Sequence, residues 1–347
     1  MKSKKIVLLN FFILFLFLCI LVFPSGTKIG VIDDHTFIFN DGKAICYLTE
    51  PERYTFGESP IEQEMIRQID KATTSIKLSI FDFDNSNILN SLINANNRGV
   101  KVEIICDIKN TPSKIVYIFQ KMGWLINYRS KNLMHHKMII FDDCCVGLGS
   151  MNFTVSCMYA NNNDFFFFYE KEIVEVFLKY FEYLKSNKYR DFFNSPIKLS
   201  GFTFLFTNST YDVNNIIADL ILKCQYRIIF AYSTFTNGSI ASLILDCVKN
   251  KNLFFLGILE KRNALTKYSI YQYFLDNNMH IYLDRNDYYM HHKIMVLDDI
   301  VLTGSYAIST KSLSNPSNNF NDEVLFYFKD DAFADFICDY IKSLLIN

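Results

Sequence analysis

The chain of 347 residues is long enough for two modest domains, and its half-apolar composition excludes an intrinsically disordered protein. Its net charge is −1, and residues 29–347 alone hold 31 basic and 36 acidic side chains, which excludes a general polyanion-binding character but not a local basic groove. The nine cysteines form no CxxC pair and no Cys/His cluster at zinc-ligand spacing, so neither a zinc site nor a disulfide framework is indicated.

The first predicted element is a membrane anchor at residues 1–28. The run from Ile6 to Phe23 is apolar apart from Asn10, three lysines precede it, and Pro24 follows it. As a helix this run would extend over roughly 27 Å, which is about the hydrocarbon thickness of a thin bilayer. It is longer than the apolar core of most signal peptides, which favours an uncleaved single-pass helix over a cleaved signal. A mitochondrial-type outer membrane and an endomembrane both remain open.

The elements that follow show a β-α-β rhythm that occurs twice. In the first half we predict a helix from Ile61 to Ala72, a strand from Ser75 to Phe83, a helix from Asn87 to Asn97 and a strand from Val100 to Asp107. In the second half the same order predicts a helix from Asn214 to Lys223, a strand from Tyr226 to Ser233, a helix from Ser239 to Lys249 and a strand from Leu253 to Leu259. The sequence therefore predicts an α/β fold of two tandem units, at residues 29–195 and 196–347. A helical segment from Glu170 to Phe193 joins them.

An internal repeat lies downstream of these elements in each half. The segment Met134 to Asp143 recurs as Met290 to Asp299, at an offset of 156 residues. Each copy continues to a Gly-Ser pair and then to an Asn-x-acid triplet, which are Gly149-Ser150 with Asn162-Asn163-Asp164, and Gly304-Ser305 with Asn321-Asp322-Glu323. Because order, spacing and chemistry all agree, the two segments are interpreted as copies of one site-forming unit.

Each copy carries a histidine and a lysine that are two residues apart, His135 with Lys137 and His291 with Lys293. If the motif is a strand, both side chains point to the same face. Two such pairs placed face to face suit a phosphodiester, since one histidine can attack phosphorus while the other protonates the leaving oxygen and then activates water. The lysines would stabilise the charge on the equatorial oxygens. This chemistry requires no metal and no cofactor.

Further polar residues are candidates for supporting roles. We expect Ser150, Asn152 and Ser305 to donate hydrogen bonds to a phosphate oxygen. Asp142 and Asp298 are spaced so that they fall at a strand end, where each would hold a turn or the neighbouring copy.

The acids of the two triplets are candidates to fix the histidine tautomers. Asp164 and Glu323 would each accept the second ring N–H of a motif histidine. The alternative is that they are ordinary acids at the start of a strand.

The motif resembles the HKD signature of the phospholipase D superfamily, His-x-Lys-x4-Asp-x6-Gly-Ser-x-Asn. The first copy matches it with His135, Lys137, Asp142, Gly149, Ser150 and Asn152. The second copy matches it with His291, Lys293, Asp298, Gly304 and Ser305. Met-His-His-Lys together with an apolar anchor is similar to the mitochondrial cardiolipin hydrolase and Zucchini-type nuclease branch, whose members carry one motif per chain and dimerise. The resemblance implies an internal pseudo-dimer with its active site on the two-fold axis and a covalent phosphohistidine. His135, in the more complete copy, is the predicted nucleophile.

Three departures from the signature stand out. The second copy has five residues rather than six between Asp298 and Gly304, Ala307 occupies the position of the signature asparagine, and Asp164 replaces the usual glutamate. The alanine removes one phosphate donor, which could lower the rate by on the order of 10²-fold.

Four functions are compatible with these motifs. The first is a membrane-anchored phosphodiesterase that hydrolyses cardiolipin or another phosphatidyl ester, with phospholipid at a membrane as its partner. The second is a metal-independent nuclease on single-stranded DNA or RNA, and the third is a phosphatidyl transferase. The fourth is a catalytically decayed membrane scaffold. No obligatory protein partner is predicted.

Overall fold

The computed structural model describes residues 30–33, 35–51, 53–128, 132–186, 192–309 and 320–345. The predicted anchor at residues 1–28 lies outside the described residues. Within the described ranges, no helix is both long enough and apolar enough to cross a membrane.

The first half of the chain forms an eight-stranded mixed sheet in the order β1-β2-β3-β8-β7-β6-β4-β5. Its strands are β1 (Gly30–Asp33), β2 (Thr36–Phe39), β3 (Ala44–Thr49), β4 (Ser75–Ile80), β5 (Lys101–Cys106), β6 (Lys137–Phe141), β7 (Cys145–Gly149) and β8 (Asn163–Phe168). Its helices are α1 (Pro60–Lys71), α2 (Ser86–Asn97), α3 (Ser113–Lys121), α4 (Val155–Tyr159) and α5 (Lys171–Lys185).

The second half repeats this arrangement in the order β13-β12-β11-β14-β15-β16-β10-β9. Its strands are β9 (Ile197–Leu199), β10 (Phe202–Phe206), β11 (Arg227–Tyr232), β12 (Phe254–Leu259), β13 (Ile281–Leu283), β14 (Lys293–Leu297), β15 (Ile300–Gly304) and β16 (Val324–Lys329). Its helices are α6 (Val213–Lys223), α7 (Gly238–Lys251), α8 (Lys261–Ala264), α9 (Tyr271–Asp276) and α10 (Asp331–Ser343). The prediction of two tandem α/β units is confirmed, whereas the domain boundary at residues 195 and 196 stays a prediction.

An asparagine caps the amino terminus of each crossover helix. Asn85 accepts hydrogen bonds from the first backbone amides of α2, and Asn237 does the same for α7. Each helix connects two parallel strands, β4 to β5 and β11 to β12. The carboxyl ends of these strand pairs therefore lie at one edge of each sheet, beside the start of β6 and β14.

The two sheets pack on each other through an aromatic core that both halves share. One cluster of buried residues contains side chains from β6, β7 and β8 as well as β10, β14 and β16, together with α5 and α10. At its centre the rings of Phe166 and Phe326 meet edge to face with centroids 5.1 Å apart, and Phe168 packs on Phe326 at 5.5 Å. The outer face of each sheet is covered by its own helices.

Replacing Phe166 by alanine is expected to lower the free energy of unfolding by about 3–5 kcal/mol, because the ring is fully buried between the sheets. Urea unfolding followed by circular dichroism measures the change. Phe254→Ala is the matched control, since the Phe254 side chain is 53% exposed. Equal losses in the two variants would contradict the packing of the sheets through this ring.

Candidate active site

The sequence predicts strands that include the motif histidines, but in the structure the histidines lie just before the strands begin. We expected a strand around His135, but β6 begins only at Lys137, which pairs with Ile80 of β4. The residues before Lys137 leave the sheet because Met134 forms a parallel bridge with Asp322 of the other half. His135 is therefore held at the junction of the two halves.

The backbone exchange between the halves is reciprocal. In one direction the amide of His135 donates to the carbonyl of Asp322 at 3.0 Å, and the amide of Asp322 donates to Leu133 at 2.8 Å. In the other direction the amide of His291 donates to the carbonyl of Asn162 at 2.9 Å. Each half thus positions the histidine of the other through hydrogen bonds of the main chain.

A carboxylate of the second half orients His135. Its Nδ1–H donates to Oε2 of Glu323 at 2.9 Å, and the Glu323 side chain is fully buried. Burial lowers the pKa of His135 to about 4, against the opposing effect of the Glu323 charge. The His135 side chain remains 14% exposed, so a substrate can reach Nε2.

The lysine of the first motif is buried beside His135. Nζ of Lys137 donates to the carbonyl of His135 at 2.9 Å and lies 4.8 Å from the ring centroid of Phe81. Burial, followed by the charge of Lys293, holds the pKa of Lys137 well below its ordinary value. An anionic ligand would relieve this repulsion.

An amide of the first half orients His291. Its Nδ1–H donates to Oδ1 of Asn163 at 2.8 Å, and Nζ of Lys293 donates to its Nε2 at 3.2 Å. Burial lowers the pKa of His291 well below its ordinary value, and the charges of Lys293, Lys137 and His135 add to this effect. Burial also lowers the pKa of Lys293 to about 8. The hydrogen bonds of each histidine to the opposite half, together with the effect of the Lys293 charge on Lys137, place both motifs in one site.

The predicted alignment of the two triplets is wrong by one residue. The amide of Ser150 donates to the carbonyl of Asp164, and the amide of Ser305 donates to the carbonyl of Val324. Asp164 is therefore the counterpart of Val324, and Asn163 is the counterpart of Glu323. Asn163 is visible in the sequence as part of the triplet, but only the strand register shows that its side chain faces His291.

Asp164 consequently has a different contact from the one predicted. Its carboxylate accepts from Nδ1 of His292 at 3.0 Å, from Ser150 Oγ at 3.1 Å, and from the hydroxyl of Thr303. It supports the histidine next to His291 and does not touch His291 itself.

The second histidine of each motif is fully buried and is held by a tyrosine. Nε2 of His136 lies 3.0 Å from the hydroxyl of Tyr180 on α5, and Nε2 of His292 lies 2.9 Å from the hydroxyl of Tyr340 on α10. Burial lowers the pKa of His136 to about 3. These two histidines fix the segments that carry the motif, a role that the sequence did not reveal.

The predicted phosphate donors have different environments. The Ser150 hydroxyl donates to Asp164, and the Ser305 hydroxyl donates to the carbonyl of Val324 at 3.3 Å, so donation to a phosphate would require these bonds to be exchanged. The buried side-chain oxygen of Asn152 has no hydrogen-bond partner among the described residues. The role of all three toward a phosphate stays a prediction.

Asp142 and Asp298 hold turns on the side of each sheet away from the histidines. Asp142 follows β6 with a φ of 46°, and its carboxylate accepts from the amides of Thr73, Thr74 and Ser75. These bonds lower its pKa to about 2, although burial acts in the opposite direction. Asp298 accepts from the three amides of residues 225–227 in the same way. Both aspartates therefore stabilise turns of the fold.

The site thus combines two imidazoles, each oriented at Nδ1, with two ammonium groups in a nearly dry volume. Such a site can supply a nucleophile, an acid and a base to a bound phosphate. Among the described residues, no group of three or more histidine, cysteine or carboxylate side chains is arranged to hold a metal ion.

A family model described as cardiolipin synthase, PLD-like domain, matches residues 65–185 and, a second time, residues 217–345. The chain belongs to this phospholipase D-like family. Each match contains one copy of the motif, so the repeat predicted from the sequence is a repeat of the family's domain.

Two curated relatives align with part of this phospholipase D-like chain. Phospholipase D of Rickettsia prowazekii is 32% identical over 118 residues, which are 33% of this chain and 58% of that protein. Mitochondrial cardiolipin hydrolase of Canis lupus familiaris is 27% identical over 129 residues, which are 36% of this chain and 50% of that protein. The chain therefore spans only a little over half the length of the first of these relatives.

Two solved structures share the fold over most of the phospholipase D-like chain. Phosphatidylserine synthase of Haemophilus influenzae has a TM-score of 0.60 at 12% identity, with 86% of this chain and 85% of that chain covered. Polyphosphate kinase of Porphyromonas gingivalis has a TM-score of 0.62 at 15% identity, with 87% of this chain and 47% of that chain covered. At these identities the likeness is one of fold alone.

Asn163→Ala is expected to lower the turnover of a phosphodiester by about 10- to 100-fold, because His291 loses the acceptor that fixes its tautomer. Asn163→Asp is expected to raise the pKa of His291, since a carboxylate then faces its Nδ1. Activity assays and ¹⁵N NMR of the histidine rings measure the two effects. Asn161→Ala is the control, because the Asn161 amide donates to the sulfur of Cys157. An unchanged His291 titration in Asn163→Asp would contradict the assigned contact.

Proposed function

We propose that the protein is a phospholipase D-type phosphodiesterase that hydrolyses cardiolipin or another phosphatidyl ester through a covalent phosphohistidine. The main support for this proposal is the junction of the two halves, where each half binds and orients the motif histidine of the other, His135 or His291. The relatives, a phospholipase D and a mitochondrial cardiolipin hydrolase, support a phospholipid as the substrate. We also propose that residues 1–28 anchor the enzyme to its membrane, on the strength of the apolar run from Ile6 to Phe23.

His135 is the proposed nucleophile because its partner is an anion. The carboxylate of Glu323 increases the basicity of the ring and stabilises the positive charge that develops on it as Nε2 attacks phosphorus. A bond forms between Nε2 and phosphorus while the bond from phosphorus to the alcohol oxygen breaks. The diacylglycerol-side phosphate then remains attached to His135.

His291 is the proposed acid and base. Lys293, which donates to Nε2 of His291 at 3.2 Å, supplies a proton to this ring, and Nε2 delivers it to the departing alcohol oxygen. The neutral ring then takes a proton from water, which attacks phosphorus and breaks its bond to Nε2 of His135. An uncharged partner, Asn163, suits this role because it leaves the imidazolium a stronger acid than a carboxylate would.

His135→Ala is expected to reduce hydrolysis by on the order of 10³-fold or more, because the covalent step is lost. The full-length protein is assayed in EDTA on cardiolipin vesicles and, in parallel, on labelled single-stranded DNA and RNA. His280→Ala is the matched control, since His280 is exposed and its ring lies 3.4 Å from the hydroxyl of Tyr282. Lipid cleavage lost only in His135→Ala supports the proposal. Cleavage of nucleic acid alone would replace it with the nuclease, and no turnover by the wild type would overturn it.

The dependence of kcat/KM on pH is expected to be bell-shaped. His135 must be neutral to attack, so the rate falls as the pH drops below about 4, the pKa of this ring. Lys293 must be charged both to stabilise the phosphate and to supply the proton that His291 delivers, so the rate falls as the pH rises above about 8. In Glu323→Gln the acid limb should move to lower pH, because the carboxylate raises the pKa of His135. An acid limb that stays in place or moves upward would contradict the assignment.

A further inference from the structure

The two segments that follow β5 and β12 border the active site from opposite halves. Asp107, directly after β5, accepts from the amide of Met134 at 3.3 Å, next to His135. Asn263, in α8 after β12, donates to the carbonyl of Ser233, whose own amide bonds to His292. Residues 108–117 and 261–268 therefore adjoin the two motif segments, and we call them the rim segments.

The rim segments carry the most exposed large apolar side chains of the described chain. Leu265 is 73% exposed, Tyr268 69%, Tyr117 64% and Ile108 62%. Their concentration in two short segments is unusual, because single exposed apolar residues are normally scattered. Surface of this kind marks a place of contact with an apolar partner.

The charged residues within the same segments are all basic. Asp107 and Glu260 directly precede the segments, and Lys261 and Arg262 lie 3.9 Å from Asp287 and 3.6 Å from Glu260. The segments contain five basic residues and no acid, although residues 29–347 as a whole have more acids than bases. The basic residues are Lys109, Lys114, Lys261, Arg262 and Lys267. Lys267 lies 4.8 Å from the ring centroid of Tyr268, so apolar and cationic groups are interleaved at this edge.

We propose that the rim segments dock on the surface of an anionic lipid bilayer, with Ile108, Leu265 and Tyr268 entering the boundary between head groups and acyl chains. Exposed apolar area together with basic residues is the combination that binds such a surface. Because the rim segments adjoin the segments that carry His135 and His291, docking would bring the site close to the lipid. The proposal rests on the proposed function for its substrate but concerns a separate surface.

A lipid surface fits better than a nucleic acid because of the aliphatic side chains. Single-stranded nucleic acids are bound by aromatic rings on which bases stack, beside cations that follow the phosphates. Ile108 and Leu265 have no ring, and both are more than 60% exposed. They gain from leaving water for an acyl layer.

Docking is tested directly by a tryptophan placed on the rim of the full-length protein. Leu265→Trp is expected to show an emission shift to shorter wavelength on vesicles of phosphatidylcholine with phosphatidylglycerol, with a smaller shift on phosphatidylcholine alone. Phe254→Trp is the matched control, since Phe254 is 53% exposed and begins β12 at the opposite edge of the sheet. No shift, an equal shift in the control, or a shift with single-stranded DNA in place of vesicles would overturn the proposal.

A second measurement separates docking from catalysis. For Leu265→Ser combined with Tyr268→Ser, the ratio of hydrolysis of vesicle lipid to hydrolysis of a soluble nitrophenyl phosphodiester is expected to fall by at least tenfold relative to Phe254→Ser. An unchanged ratio would overturn the docking surface while leaving the phosphodiesterase in place. If the wild type hydrolyses neither substrate, the proposed function fails, and the tryptophan emission alone decides the docking.

Discussion

Each motif histidine depends on the opposite half of the chain, and the geometry of the site follows from this exchange. The amides of His135 and His291 bond to the carbonyls of Asp322 and Asn162, and their rings bond to side chains next to those carbonyls. Neither half could orient its own histidine. The shared aromatic core around Phe166 is what keeps the two halves in register.

The exchange also concentrates positive charge in a place where water is scarce. Lys137 and Lys293 are buried close enough for the charge of Lys293 to lower the pKa of Lys137. Two ammonium groups at this distance repel each other, and a phosphodiester anion would remove the penalty as it binds. The site is therefore organised for a ligand that carries one negative charge between two cations.

The two halves have diverged in the partners of their histidines. Glu323 gives His135 an anionic partner, whereas Asn163 gives His291 a neutral one. A symmetric pair of sites would leave both histidines equally suited to attack phosphorus. This difference in charge is the reason that we propose a different role for each histidine.

Much of this arrangement could be predicted from the sequence. The repeat, the crossover helices and the paired His-x-Lys groups were visible because they depend on local spacing, and the structure contains them. The partner of His291 was not visible, because it depends on which residue of the triplet faces the junction. That is decided by the pairing of Gly149 with Phe165 in β8, a long-range register that periodicity does not reveal.

The position of His135 could not be predicted for the same reason. A stretch of β-compatible residues around it indicated a strand. In the structure, however, Met134 pairs with the other half, and the chain joins the sheet only at Lys137. The tyrosines that hold His136 and His292 lie on helices far away in sequence. Contacts between distant segments, rather than local preferences, complete the site.

The most direct test of the account is to trap the covalent intermediate. A phosphodiester with a nitrophenol leaving group needs no acid for its departure. In the His291→Ala variant, His135 should therefore still attack this substrate, but the phosphohistidine should be hydrolysed slowly. Rapid quenching and peptide mass spectrometry are expected to find the phosphoryl group on the peptide that contains His135. A phosphoryl group on His291 in a His135→Ala variant, or no labelled peptide in either variant, would contradict the assignment of His135 as the nucleophile.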